Sequence, residues 1–184
     1  MLMRSPVLRG KTDDPRVEKT PVGYRVIPQI GFFSEDYAYP AVCENGREWM
    51  TLMPNEIVTT RPAVEASRGD VLTFGLGLGY FAFSAARKPE VDSVTVCELS
   101  ADVISLFQEF ILPQFPEKEK ITIVNADAFD FAAEGMTRFD TVFCDIWHDP
   151  SDGVPLYLRM KEYEAKNPGP DYHYWLEKTL QLYV

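Results

Sequence analysis

The chain has 184 residues, 46% of them apolar and 25% charged, the balance of one globular domain with at most a small appendage. It carries 18 basic and 28 acidic side chains for a net charge of -10, and only the first 28 residues run the other way, with six basic against three acidic. An acidic body repels phosphate backbones, which excludes general nucleic-acid binding and leaves cationic or neutral small molecules as the expected partners.

Residues 1–21 carry Pro6, Pro15 and Pro21 without an apolar period and read as an irregular arm. Residues 22–69 read as a β-hairpin unit with a linking helix. Asn45-Gly46, between Ala41–Glu44 and Arg47–Met50, favours two successive positive φ values, which match the twist of a two-residue hairpin. A helix is expected over 54–67. Pro54 suits its first turn and Glu56 complements its dipole, whereas Pro62 is awkward inside it.

From residue 70 the pattern alternates. Strands are expected at Val71–Phe74, Val91–Glu98, Ile121–Val124 and Phe139–Ile146. Helices are expected at Leu78–Lys88, Ala101–Phe110 (capped by Ser100) and Ala128–Glu134. Strands apolar on both faces imply a parallel sheet covered by helices, an α/β Rossmann-like domain over 70–184. The tail reads as two helices, about 155–165 and 172–183, separated by Asn167-Pro168-Gly169-Pro170. The aromatic Tyr172-His173-Tyr174-Trp175 is expected to pack in the core. On this reading the sheet stops at its fourth strand. Its open edge would then be covered by the N-terminal hairpin or by a second copy of the chain, a homodimer.

Three cysteines (Cys43, Cys97, Cys144) have no metal-ligand spacing, the two histidines add no ligand cluster, and no metal is expected. Unpaired cysteines fit a reducing, cytoplasmic setting. Met1 to Pro6 lacks the apolar core of roughly 7–15 residues that a secretory signal needs, and no run reaches the ~18 residues of a membrane helix, so no membrane partner is expected.

Phe74-Gly75-Leu76-Gly77-Leu78-Gly79 leaves a strand and opens a helix, where glycines allow a tight turn and close approach to a ligand. Glu98 ends the next strand, 19 residues after Gly79. A carboxylate there stands beside the loop and can accept hydrogen bonds from ribose hydroxyls; the alternative is a solvated acid capping the next helix. The third glycine falls one place early for a dinucleotide fingerprint, with Tyr80 in its stead, which disfavours NAD. No phosphate-cradling G-x-x-x-x-G-K-[ST] is present.

Gly75-Leu76-Gly77-Leu78-Gly79, Glu98 and Asn125-Ala126-Asp127-Ala128, in that order, resemble the class I S-adenosylmethionine-dependent methyltransferases. Val94-Thr95-Val96-Cys97-Glu98-Leu99 and Asp127-Ala128-Phe129 are most similar to the spermidine-synthase-like branch, and the resemblance covers about residues 70–150. It implies a shortened sheet of the class I type and S-adenosylmethionine, or its decarboxylated form, as cofactor. It also implies that Gly75, Gly77 and Gly79 pass under the methionine and ribose and that Glu98 holds the ribose hydroxyls. Leu99 would line the adenine, Asp127 would accept from its amino group, and Ala128 would offer a backbone N–H. Taken alone, Asp127 reads equally well as a helix N-cap.

The fourth strand runs into Asp145-Ile146-Trp147-His148-Asp149-Pro150. Asp145 can orient an amine or take its proton, Trp147 can cover a sulfonium, and His148 can act as a base near neutral pH. The plainer readings are a turn cap, a core plug and a surface turn. Spermidine synthases carry D-x-x-D-P here, whereas this chain has D-x-x-x-D-P, with Asp149 shifted by one. The amine-methylating [DN]-P-P-[YF] is absent. The expected function is S-adenosylmethionine-dependent methyl transfer to a small-molecule acceptor. The alternatives are aminopropyl transfer to a polyamine and a non-catalytic S-adenosyl nucleoside-binding module.

Overall fold

The computed structural model describes residues 2–4, 16–20, 23–27, 38–44, 47–148 and 150–184. Five strands precede residue 52: β1 (Leu2–Arg4), β2 (Arg16–Thr20), β3 (Gly23–Ile27), β4 (Ala38–Glu44) and β5 (Arg47–Thr51). β4 pairs antiparallel with β1 and β5, while β2 and β3 form a separate antiparallel pair. The arm expected to be irregular therefore contains two strands. Their partners, Tyr39 opposite Met3 and Val26 opposite Val17, lie outside the arm itself, and pairing of that kind leaves no local period to read. The hairpin expected around Asn45-Gly46 is present as β4 and β5; the dipeptide itself lies outside the described residues.

Helix α1 (Pro54–Ala66) starts on the proline whose missing N–H costs nothing in a first turn, and it runs through Pro62. Its last carbonyls are capped from elsewhere. Lys88 Nζ donates to the carbonyls of Val64, Glu65 and Ser67 at 3.1, 2.6 and 2.7 Å, a cation at the negative end of the helix.

The body then alternates through β6 (Gly69–Phe74), α2 (Tyr80–Ala86), β7 (Val91–Glu98), α3 (Ala101–Leu106), β8 (Ile121–Asn125), α4 (Ala128–Ala133), β9 (Thr141–Cys144), α5 (Pro150–Lys166), β10 (Asp171–Tyr174) and α6 (Glu177–Leu180). Its strands form one parallel five-stranded sheet in the order β10-β9-β6-β7-β8. Val71, Leu72, Phe74, Val142 and Phe143 are buried, and Phe81 of α2 stacks on Phe143 with ring centroids 4.4 Å apart. Burying each such side chain contributes roughly 1.5–3 kcal/mol, and apolar side chains on both faces are what hold helices against a parallel sheet. Strand order reverses between β6 and β9. Phe74 is in register with both Cys97 and Cys144, and Glu98 with Asn125, so the carboxyl ends of four strands form one row at that reversal.

The tail departs from expectation. Asp171–Tyr174 is not helical but pairs in parallel with Thr141–Cys144, and only the short α6 follows. An open β9 edge presents unpaired backbone groups, and extended pairing satisfies them, a non-local gain that the spacing of aromatic side chains does not reveal. The sheet therefore does not stop at a fourth strand, and the edge expected to be covered by the hairpin or a second copy is taken by β10. Tyr174 and Trp175 are buried, as expected. Other boundaries shift. α2 begins at Tyr80, because Leu78 still belongs to the glycine turn, and it ends at Ala86. The helix expected over 101–110 is α-helical to Leu106, then continues as a π turn (Phe107–Ile111) and a 3-10 turn (Leu112–Gln114) around Pro113, which cannot donate a backbone hydrogen bond. α5 starts at Pro150 and contains Pro155. No described helix is long and apolar enough to cross a membrane.

Candidate cofactor and acceptor site

β6 delivers the chain into the glycine turn. Gly75 has φ 92°, and a Cβ there would collide with the carbonyl oxygen of Asp145, so the turn can lie against the chain leaving β9 only without a side chain. The Gly75 N–H donates to Cys97 and the Asp145 N–H to Phe74, both at 2.9 Å, which carries the ladder one residue past the strands on each side. Among the described residues nothing lies within 4 Å of where a Cβ on Gly77, at φ 53°, would stand, so the turn is open on the side of the cavity it borders. Gly79 ends the turn over the ring of Phe107.

Glu98 is 8% exposed, so it is not a solvated acid. Its Oε2 accepts from the N–H of Leu76 at 3.0 Å and its Oε1 from Ser100 at 2.8 Å. It thus ties the glycine turn to the start of α3, and each oxygen retains a lone pair for a further donor. The side chain of Asn125 donates to the carbonyls of Glu98 and Leu99 at 3.0 and 2.8 Å and pins the segment that holds Leu99, 69% exposed, at the cavity rim. Asp127 is the N-cap of α4: Oδ1 accepts from Phe129 and Asp130 at 2.8 and 3.1 Å, beside buried Ala128. Both also border the cavity.

The β9 side differs. Among the described residues none donates to the carboxyl of Asp145. Burial pushes it up to about 8, and the Glu56 carboxylate adds to the effect. Glu56, on α1, is raised by burial as well. Trp147 is 5% exposed and packs in the core, its ring 6.5 Å from Tyr174 and backed by Gly153; its indole N–H is buried without a partner among the described residues. It borders the cavity too, so the core-plug geometry and a place beside a ligand coexist. His148 is exposed at the rim and bonds Asp152. Asp149 lies outside the described residues.

These residues surround one cavity of about 670 Å³ at the strand-order reversal, a size that suits a small molecule. Its lining includes four carboxyl groups, Glu56, Glu98, Asp127 and Asp145, together with His148, and no Lys or Arg among the described residues. Gly75, Gly77, Glu98, Leu99, Asp127, Ala128, Asp145, Trp147 and His148 all border it; Gly79 lies behind the turn. Glu56, Thr60, Tyr80 and Trp175 line it as well and escaped the sequence reading. Glu56 and Thr60 stand four residues apart on one face of α1, a spacing that marks a shared face but not what the face meets. Trp175 donates its indole N–H to Thr59 at 3.0 Å and so fastens α1 across the cavity to the chain after β10. Among the described residues no group of three or more His, Cys, Asp or Glu could hold a metal ion.

No family model matches the chain. A polyamine aminopropyltransferase of Leptospira interrogans is 34% identical over 87 residues, which are 45% of this chain and 17% of that protein. The chain therefore matches about one sixth of the length of that curated relative. Among solved structures, a precorrin-8w decarboxylase of Methanobacterium thermoautotrophicum is 18% identical with TM-score 0.50, over 71% of this chain and 68% of that one. A Pyrococcus horikoshii protein named as a transferase is 16% identical with TM-score 0.50, over 74% and 52%. Together with the strand order and the glycine turn at its reversal, these likenesses identify the fold: it is the Rossmann-like fold of the class I S-adenosylmethionine-dependent methyltransferases.

Proposed function

We propose that this cavity binds an S-adenosyl nucleoside and that the protein transfers an alkyl group from its sulfonium to a small cationic amine. The observation that carries the reading is the lining itself. Four carboxyl groups face a cavity at the reversal point, with no Lys or Arg in its lining among the described residues. A phosphorylated or carboxylated acceptor would find no Lys or Arg among the described lining residues, whereas a sulfonium or an ammonium meets carboxyl oxygens.

In this reading Gly75 and Gly77 form the bed for the amino-acid arm and ribose, and Gly79 closes the turn behind them. Glu98 accepts from the ribose hydroxyls with its remaining lone pairs, Asp127 from the adenine amino group, and Leu99 and Ala128 flank the ring. Asp145 and Glu56 hold the amine, and Trp147 covers the charged sulfur. When bound, the nucleoside supplies an electrophilic carbon on positive sulfur. The residues of this chain contribute alignment of amine and carbon, worth up to roughly 7–11 kcal/mol in the best intramolecular models.

Methyl transfer from S-adenosylmethionine is the first reading. Aminopropyl transfer from decarboxylated S-adenosylmethionine is the second. Two observations support it: no described cation lines the cavity to offset a methionine carboxylate, and the curated relative is named an aminopropyltransferase.

The test is thermal shift and calorimetry with S-adenosylmethionine, its decarboxylated form and NAD, followed by mass spectrometry of di- and polyamines incubated with protein and each donor. Binding of a sulfonium nucleoside with an amine gaining one methyl supports the first reading, and a gain of one aminopropyl group the second. Binding without transfer makes the protein a nucleoside-binding module. Stabilisation by NAD alone would overturn all three.

A further inference from the structure

Asp152 stands in the first turn of α5, and its carboxylate grips the residue four positions earlier at both backbone and ring. Its two oxygens accept from the backbone N–H of His148 at 3.2 and 3.1 Å, and Oδ2 lies 3.0 Å from ring Nδ1. The backbone bonds tie the chain entering α5 to the first turn of that helix. The ring contact does something more. A carboxylate only accepts, so Nδ1 carries the hydrogen, and in the neutral imidazole the lone pair then sits on Nε2. His148 is among the residues that line the cavity with Asp145 and Glu56, and its side chain is 65% exposed, so a proton it takes can pass to water. An amine drawn into an acidic cavity arrives as an ammonium, which has no lone pair for attack.

We propose that Asp152 is the positioning residue that holds His148 in its Nδ1–H form, and that Nε2 of His148 is the base that takes a proton from the bound ammonium. The inference rests on the amine-acceptor reading above. In the step, an ammonium N–H bond breaks and its proton joins Nε2. The freed nitrogen pair forms the bond to the carbon of the sulfonium donor, and the C–S pair stays on sulfur as a neutral thioether. The imidazolium then gives its proton to water, while the Asp152 carboxylate offsets its charge.

The chain has two histidines, His148 and His173, so nitrogen-15 histidine labelling yields two ring signatures, and His148→Gln assigns them. The expected result is an Nδ1–H tautomer for neutral His148 in the wild type and loss of that preference in Asp152→Asn. In transfer assays, His148→Gln and Asp152→Asn each lower kcat about 100-fold, as loss of general-base catalysis does, with KM within about twofold, and Asp152→Glu recovers part of kcat. A wild-type Nε2–H tautomer overturns the proposal whatever the activity. Transfer that survives in both variants overturns the base while leaving the functional reading intact. A loss in His148→Gln with none in Asp152→Asn overturns the role of Asp152. A wild type that binds the donor and alkylates no amine overturns the functional reading, and the base with it.

Discussion

On the β7–β8 flank of the cavity, each carboxylate is met by backbone donors: Glu98 by Leu76 and Ser100, Asp127 by Phe129 and Asp130. On the β9–α1 flank none of the described residues donates to the carboxyl of Asp145 or of Glu56, and burial raises both, Asp145 to about 8. The contrast separates two jobs that one residue type can do. A carboxylate held by N–H groups is a fixed acceptor, suited to the neutral hydroxyl and amino donors of a nucleoside. A carboxyl buried without donors is held short of its charge and gains most when a cation arrives.

The largest effect is expected on the first flank. Glu98→Ala strands two N–H groups that the carboxylate now satisfies, and the loss of a charge-assisted pair of bonds costs about 3 kcal/mol of folding stability, measured by urea denaturation. A cost under about 1 kcal/mol would show that the carboxylate does not hold the turn. Next comes Asp145→Asn. It is expected to slow transfer about 100-fold, read in single-turnover assays, and to change the pH dependence of stability. The folded protein keeps the Asp145 proton up to about 8, while the unfolded chain releases it near 3.8. Between those values the folded state binds more protons, so this group makes stability fall as pH rises and level off above 8. The asparagine variant flattens that slope, and an unchanged slope in urea midpoints would place Asp145 in ordinary solvent. Glu56→Gln removes the smaller cause and is expected to reduce the slope without abolishing it. Asp127→Asn keeps an oxygen for the α4 cap and is expected to weaken nucleoside binding about tenfold with stability within about 0.5 kcal/mol, since asparagine caps as well as aspartate. Unchanged affinity in calorimetry would remove Asp127 from the site. Smallest is Trp175→Phe, which deletes one bond to Thr59 and is expected to cost about 1 kcal/mol.

The alternating body, the glycine turn and the acids at the strand ends could be read from the chain, because each rests on chemistry within a few residues. Buried parallel strands are short apolar runs, glycine is the residue that tolerates φ 92° at position 75, and Ser100 and Asp127 cap the helices that follow them. What could not be read is whatever depends on partners far along the chain. Tyr172-His173-Tyr174 carries no local mark of a parallel strand; it becomes one by completing the edge of a segment 30 residues earlier. Glu56 looked like an ordinary first-turn acid until α1 was placed opposite β9, held there by Trp175, and only then did two carboxyl groups come to share one cavity. Local geometry is set by short-range sterics and hydrogen bonds, whereas the pairing of edges and the electrostatics of a cavity arise from groups that the fold alone brings together.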